Sequence, residues 1–182
     1  MTFMAFDDAA QWETWLAAHH HDSPEGAWLR IAKKKSGKVS PSADEAGDVA
    51  ICYGWIDGHR KGLDEDYFLQ RYSRRRPGSS WSKVNVERVE RLIAEGRMRP
   101  PGMAEVDAAK ADGRWDSAYE SQATATVPDD LAAALAARPA AAKAFESLDK
   151  TARYAVILPL LKARTPERRA VLVERAVAAL IS

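Results

Sequence analysis

The sequence lacks three features that would limit its function at once: cysteine pairs, long apolar runs and a large net charge. The single cysteine, Cys52, excludes an intrachain disulfide and fits a reducing compartment. No stretch approaches the roughly 18 consecutive apolar residues that a membrane span requires. The formal net charge is only +1, so an anion site would have to be a local cluster rather than a uniformly basic surface.

The N-terminal residues MTFMAFDDAA have neither the basic start nor the apolar segment of a signal peptide. We therefore expect a cytoplasmic protein of the bacterial type with no membrane span. Apolar residues make up 46% of the chain, which is enough for a core that needs no metal or disulfide to hold it.

Hydrophobic periodicity and turn residues predict an α+β fold that is mainly helical. A small three-stranded antiparallel sheet is expected, with helices packed on it and a helical bundle at the C-terminal end. The predicted strands are residues 27–33, 55–61 and 67–72. The predicted helices are residues 7–20, a helix opened by Ser40-Pro41 and ended by Gly54, then 82–95, 101–111, 129–137, 139–147, 150–163 and 166–181.

Individual residues support several of these boundaries. A serine followed by proline is a typical helix start, so Ser40 is predicted to cap the second helix. In the helix over 82–95, Val86, Val89 and Ile93 are predicted to form the buried face. Pro159 is expected to kink or shorten the helix over 150–163. Three other prolines, Pro128, Pro139 and Pro166, lie where a helix can begin. The apolar face predicted for the last helix consists of Leu172, Val173, Ala176, Val177 and Leu180.

The polar run SQATATV at about 121–127 is the best candidate for a linker. It would separate an α+β domain at 1–120 from a helical region at 128–182.

Three adjacent histidines, His19, His20 and His21, lie at the C-terminal end of the first predicted helix. Neighbours in sequence do not face one direction on a helix, and a histidine near the last carbonyl groups is a common helix end. We therefore predict no metal site, and nothing in the sequence calls for a cofactor.

Long motifs rich in tryptophan, among them Cys52 to Gly58 (CYGWIDG) and Tyr72 to Asn85 (YSRRRPGSSWSKVN), can be compared with known families. Together with the others given below, they resemble the YdeI/OmpD-associated family, also called bacteriocin-protection proteins. The resemblance covers nearly the whole chain and implies a role in bacteriocin protection and envelope stress. It carries over no catalytic residues. One departure is Arg74-Arg75-Arg76-Pro77-Gly78, where a pattern closer to Pro-Arg-Arg/Lys-x-x-Ser is expected. The matching motifs are Trp12-x-x-Trp15-Leu16, Ala27-Trp28-Leu29, Cys52 to Gly58 (CYGWIDG), Tyr72 to Asn85 (YSRRRPGSSWSKVN), Arg91 to Met98 (RLIAEGRM), Asp112-Gly113-Arg114-Trp115-x-x-Ala118-Tyr119, and the tail with Phe145.

The densest cluster of binding residue types is an arginine-rich run that precedes a helix. Backbone N–H groups of Gly78-Ser79-Ser80 at a helix start, together with guanidinium groups, would suit phosphate, sulfate or carboxylate. The alternative is that Ser79 or Ser80 only caps the helix while the arginines pair with neighbouring carboxylates, namely Asp57, Asp64, Glu65, Asp66 and Glu87.

Aromatic residues form the second candidate site. They could line a pocket and stack on a planar ligand, although a core role is the alternative, since aromatic side chains bury large areas. The residues are Trp28, Trp55 and Trp81 with Tyr53, Tyr67 and Tyr72. The predicted ligand-binding set is Trp55, Asp57, Arg71, Arg74, Arg75, Arg76, Ser80, Trp81 and Lys83.

The sequence favours a non-enzymatic protein that binds an anionic or carbohydrate-like ligand, or a protein partner, through this set. The first alternative is a small-molecule enzyme in which Asp57 and His59, two apart in a strand, form an acid–base pair. The second is a nucleic-acid-binding module, which the near-neutral total charge and the acidic residues at 64–66 disfavour.

Overall fold

The computed structural model describes all residues from Met1 to Ser182 and confirms the predicted α+β class, with eight helices and a small antiparallel sheet. None of the helices combines the length and the hydrophobicity needed to span a bilayer. The elements are α1 (Ala9–His19), β1 (Ala27–Ala32), α2 (Ala43–Cys52), β2 (Trp55–Gly62), β3 (Tyr67–Arg74), α3 (Lys83–Ala94), α4 (Pro100–Ala111), α5 (Asp129–Ala136), α6 (Pro139–Glu146), α7 (Lys150–Leu161) and α8 (Pro166–Leu180).

The chain forms two compact units. The first consists of Met1–Ser79 and Asn85–Asp116 and contains the sheet; the second consists of Ser80–Val84 and Ser117–Ser182 and contains α5 to α8. The predicted domain limits at 120 and 128, with a linker between them, stay a prediction.

The sheet has the order β1-β3-β2, so β3 is its central strand and both pairings are antiparallel. Side chains alternate between the two faces of a strand, and directly paired residues point to the same face. Leu29 and Ile31 of β1 are therefore on the same face as Tyr72 of β3, and all three are buried. We call this the inner face, and the opposite face, which carries Trp28 and Arg71, the outer face.

Aromatic residues from the inner face and from α1 form the centre of the first unit. Trp12 is fully buried, and its indole Nε1 donates to the carbonyl oxygen of Ala46 in α2 at 3.0 Å. Its ring centroid lies 5.6 Å from that of Tyr72 and 6.3 Å from that of Trp55. This arrangement joins both helices to the sheet, and burial raises the pKa of the Tyr72 hydroxyl well above its ordinary value.

The start of α2 differs from the prediction. Ser42, not Ser40, is the N-cap: its hydroxyl accepts from the Glu45 backbone N–H, and the Glu45 carboxylate accepts from that of Ser42. This is a capping box, which the spacing of Ser42 and Glu45 specifies and the Ser40-Pro41 pair does not. Ser40 instead accepts from the Ala32 N–H at the end of β1. The predicted end is confirmed, since Gly54 has φ +76° just after the helix.

The buried face of α3 also differs from the prediction. Val89 and Leu92 are fully buried, whereas Ile93 is 41% exposed. The spacing of three from Val89 to Leu92 and of four from Val89 to Ile93 both fit one side of a helix, so sequence periodicity alone could not choose between them.

In the second unit, α5 to α8 pack around one apolar core, and the predicted apolar face of α8 is confirmed by buried Val173 and Val177. Pro139 and Pro166 lie in the first turn of their helices, as predicted. Pro159 lies inside α7, which continues to Leu161 and ends two residues earlier than predicted.

Candidate functional site

The predicted arginine cluster divides into exposed and engaged side chains. Arg71 donates from a terminal guanidinium nitrogen to the Glu25 carbonyl oxygen at 2.8 Å. Arg75 is 7% exposed, and its backbone N–H donates to Gly54. Arg74 and Arg76 are exposed, and their side chains form no hydrogen bond or ion pair. The two exposed guanidinium groups therefore remain available to a ligand.

The proposed pairing with neighbouring carboxylates is not seen for Arg71, Arg74 or Arg76. Asp64 accepts from the backbone N–H groups of Asp66 and Tyr67, and the Asp66 carboxylate pairs with Lys38 at 3.7 Å. None of the five carboxylates suggested as partners, Asp57, Asp64, Glu65, Asp66 and Glu87, forms an ion pair with Arg71, Arg74 or Arg76.

Trp55 belongs to the core rather than to an open surface. It is fully buried, and its indole Nε1 donates to the His20 carbonyl oxygen at 3.2 Å. Its ring lies edge-on to Trp12 and Trp15, with centroids 6.3 and 6.0 Å away. The core alternative therefore describes Trp55, and the prediction that it lines a ligand surface is wrong.

The remaining members of the predicted set, Ser80, Trp81 and Lys83, lie in the second unit. Trp81 is 1% exposed, and its carbonyl oxygen accepts from the Tyr119 N–H. The Lys83 ammonium pairs with Glu120, which holds the pKa of that carboxyl below its ordinary value. The charge of Lys83 is therefore balanced by Glu120. Trp81, like Trp55, is a buried core residue and is not accessible to a ligand.

The predicted anion site at a helix start is also corrected. Because α3 begins at Lys83, neither Ser79 nor Ser80 is at its N-cap position. The Ser79 carbonyl oxygen accepts from the Arg114 guanidinium at 2.8 Å. The loop N–H groups of Gly78 to Ser80 consequently do not belong to a helix N-terminus.

The proposed acid–base pair, Asp57 and His59, lies on exposed positions of β2. A shift in the β2–β3 register between Asp57 and Arg60 interrupts the regular alternation that would have aligned the two side chains. No hydrogen bond or ion pair joins them in this structure. Cys52 offers no nucleophile either, because burial raises the pKa of its thiol to about 11 and keeps it protonated near neutral pH.

The three histidines lie at the C-terminal end of α1, where a histidine was expected to interact with the last carbonyl groups. His20 does so, since its Nδ1 lies 2.9 Å from the Leu16 carbonyl oxygen. His19 lies 3.4 Å from the Asp22 carboxylate. No group of three or more metal-binding side chains is present in the structure.

Two features were not predicted as sites, although the sequence points to Trp28 and Arg71 individually. The first is the outer face of the sheet, where Trp28 and Tyr67 lie beside the cations Arg30, Lys61 and Arg71. The signal for it was present, since β1 and β3 contain no acidic residue. The second is an apolar groove of about 510 Å³ between α7 and α8, which includes Pro159. Its form depends on helix packing, which strand or helix periodicity does not specify.

Two family models match the chain. Residues 124–181 match the model described as "Bacteriocin-protection, YdeI or OmpD-Associated", which supports the suspected family over the C-terminal helices. The predicted coverage of nearly the whole chain is not seen, because the tryptophan-rich motifs between Trp12 and Tyr119 lie outside this match. Residues 4–105, which include the sheet, match a model described as "Domain of unknown function (DUF8412)". No curated protein and no solved structure matches. Because this second match covers more than half of the 182 residues, the chain belongs to the DUF8412 family, and it carries a bacteriocin-protection, YdeI or OmpD-associated segment at its C-terminal end.

Proposed function

We propose that this protein acts in bacteriocin protection by binding rather than by catalysis. Its ligand is an anionic or carbohydrate-like molecule, or an acidic surface of a protein partner, and it contacts the exposed arginines Arg74 and Arg76. The family match supports the general role in bacteriocin protection. The exposure of the two arginine side chains, which form no hydrogen bond or ion pair, supports the mode of binding.

The observation that carries the proposal is the absence of any internal partner for Arg74 and Arg76. Several other arginines of the chain pair with carboxylates: Arg88 and Arg91 converge on Asp48, and Arg169 pairs with Asp130. Arg74 and Arg76 are separated from one another by one residue and are followed by the Pro77-Gly78 turn. Two exposed guanidinium groups without partners, two positions apart in the chain, can each donate to an anion that accepts several hydrogen bonds.

Phosphate, sulfate and uronic acid groups have the geometry for paired guanidinium donors. Because the site is exposed, water and salt weaken each contact, so a small anion should bind weakly and a ligand with several anionic groups more tightly. This property fits recognition of a repeating or multiply charged molecule.

The proposal is tested by thermal unfolding of the full-length protein with inorganic phosphate, sulfate and a heparin oligosaccharide at constant ionic strength. A ligand at ten times its dissociation constant stabilises the folded state by about 1.4 kcal/mol, which raises Tm by about 3–5 °C for a chain of this length. The shift should disappear in Arg74→Ala/Arg76→Ala.

Sulfate and phosphate also stabilise most proteins because they are excluded from the protein surface. Specific binding is therefore shown only by a smaller Tm shift in the arginine variant than in wild type. The matched control is Lys34→Ala/Lys35→Ala, which removes the same charge from an exposed loop and should leave the shift unchanged. Equal shifts in all three proteins would reject the arginine site. In cells, expression of the arginine variant should protect less against a bacteriocin than the wild-type chain does.

A further inference from the structure

The outer face of the sheet has a composition unlike the rest of the surface. Trp28 pairs with Arg71, and Arg30 and Lys61 both pair with Leu69, so these side chains share one face. Leu69 is buried beneath them, whereas Trp28, Arg30 and Arg71 are half-buried and Lys61 is exposed. The face is therefore accessible and combines aromatic rings with cations.

Each cation on this face lies against a ring or a carbonyl group and never against a carboxylate. The Arg30 guanidinium lies 4.3 Å from the Tyr67 ring centroid, and the Lys61 ammonium lies 4.9 Å from that of Trp28. Arg71 donates to a backbone carbonyl oxygen. Such contacts hold the side chains in place but leave their charge uncompensated.

The strands themselves supply no negative charge to the outer face. β1 and β3 contain no acidic residue, and the one in β2, Asp57, pairs with Tyr72 on the inner face. The acidic residues at 64–66, which argued against a polyanion ligand, lie in the turn between β2 and β3. Asp66 pairs there with Lys38, and Asp64 accepts backbone N–H groups.

We propose that the outer face binds single-stranded nucleic acid, with Trp28 as the main stacking surface and Lys61, Arg30 and Arg71 as phosphate contacts. A base can displace the exposed Lys61 from the Trp28 ring, after which the ammonium is free to contact a phosphate. A flat sheet face with aromatic rings and cations suits unpaired bases, whose ring faces are open, and the overall charge of +1 restricts binding to this patch.

The number of phosphate contacts sets the salt dependence of binding that we expect. With three phosphate contacts, the logarithm of the binding constant should fall with the logarithm of salt concentration at a slope of about −2, because single strands give about −0.7 per contact. Removing one cation should reduce the magnitude of the slope by about 0.7. Loss of the Trp28 ring should weaken binding about tenfold, because one base then loses its stacking partner.

The experiment is fluorescence anisotropy of labelled 12-nucleotide oligo(dT) and oligo(U) with the full-length protein over a series of salt concentrations. Trp28→Leu and Lys61→Glu should each weaken binding about tenfold or more. Trp28→Phe, which keeps an aromatic ring, should retain most of the wild-type affinity. The control Lys143→Glu changes an exposed lysine of α6 by the same charge and should have no effect. Lys61 is exposed, so its variant should fold normally, which circular dichroism checks.

Absence of oligonucleotide binding at low salt would overturn the proposal, as would equal loss in Lys61→Glu and Lys143→Glu. Binding of an acidic peptide or anionic vesicles, but not oligonucleotides, in a Trp28-dependent manner would also overturn it. The Arg74→Ala/Arg76→Ala variant should bind the oligonucleotide as well as wild type does, and Trp28→Leu should weaken its binding by the same factor. The nucleic-acid proposal can therefore fail or hold independently of the proposed arginine site.

Discussion

The side-chain amide of Gln70 donates from Nε2 to the carbonyl oxygen of Gly58, 2.9 Å away on the neighbouring strand. Its Oε1 accepts from Arg60 Nε at 2.9 Å, and its Nε2 is also 3.3 Å from the His59 carbonyl oxygen. These contacts bridge the position at which the β2–β3 register shifts, where ladder hydrogen bonds are interrupted. One buried glutamine in the central strand therefore holds the irregular part of the edge strand.

We expect Gln70→Met to lower the free energy of unfolding by about 1–3 kcal/mol, because methionine fills a similar volume but leaves the amide's partners unsatisfied. Urea denaturation measures the change. Ser73→Ala, on the opposite face of β3, is the control and should stay within about 0.5 kcal/mol of wild type. If the methionine variant were as stable as the control, water would be satisfying these groups instead.

Gln70 also marks the limit of what the sequence could predict about the sheet. The strands themselves followed from alternation and from Gly54, which ends α2 and turns the chain directly into β2. The burial of the polar residue Gln70 was not predictable from the sequence. Its partners are backbone groups of β2, and their positions depend on the register shift between β2 and β3, which appears only once the strands have paired. The burial of Trp55 was not predictable either, because the alternation of residues in β2 fits an exposed and a buried tryptophan equally well.

Trp55 provides a direct test that separates a core residue from a ligand contact. Trp55→Phe keeps an aromatic ring but loses the hydrogen bond to the His20 carbonyl oxygen and part of the packing against Trp12. We expect a loss of about 1–3 kcal/mol in urea denaturation. The affinity for phosphate or heparin oligosaccharide should stay unchanged, and a selective loss of affinity without loss of stability would return Trp55 to the binding site.

The close approach of α2 and α4 depends on Gly102. A Cβ atom there would lie 2.2 Å from the Cys52 carbonyl oxygen and 2.6 Å from its carbon, both backbone atoms that cannot move alone. We expect Gly102→Ala to destabilise the protein by about 1–3 kcal/mol, although alanine favours a helix by about 1 kcal/mol over glycine.

Thermal unfolding of Gly102→Ala beside Gly62→Ala measures this effect. A Cβ atom at Gly62 has no neighbour within 4 Å, so that variant should change stability little. Similar stabilities for the two variants would show that α4 can shift away from α2 at low energetic cost.

The helical region was easier to predict than the sheet because its signals are local. Pro139 and Pro166 mark helix starts within their own turns, and the apolar face of α8 is visible within the helix. Where two local signals competed, as with Ser40 and Ser42, the one that satisfies two backbone donors at once determined the helix start. The outer face went unpredicted for a different reason: its members come from three strands and meet only through the register.

Within the second unit, the ion pair between Asp130 of α5 and Arg169 of α8 makes a pH-dependent contribution to stability. Two guanidinium nitrogens contact the two carboxylate oxygens, one of them at 2.9 Å, and Arg169 holds the pKa of Asp130 below its ordinary value. A lowered pKa in the folded state stabilises the protein above the ordinary pKa, and this stability is lost as the pH falls through the folded value. Because both side chains are partly exposed, we expect Arg169→Gln to cost about 0.5–1 kcal/mol at pH 7.

Urea denaturation at pH 7 and pH 2.5 checks this expectation. At pH 7 Arg169→Gln and Asp130→Asn should both be less stable than wild type, and the double variant should show less than the sum of the two losses. At pH 2.5 the difference between wild type and Asp130→Asn should shrink, because this pH lies below the ordinary pKa of an aspartate, where the unfolded state binds the proton and the contribution of the lowered pKa to stability decreases. Arg168→Gln removes the same charge from the neighbouring exposed position, whose side chain forms no ion pair, and should be nearly neutral at both pH values. Equal losses at positions 168 and 169 would instead point to the general charge of α8 rather than to the contact with α5.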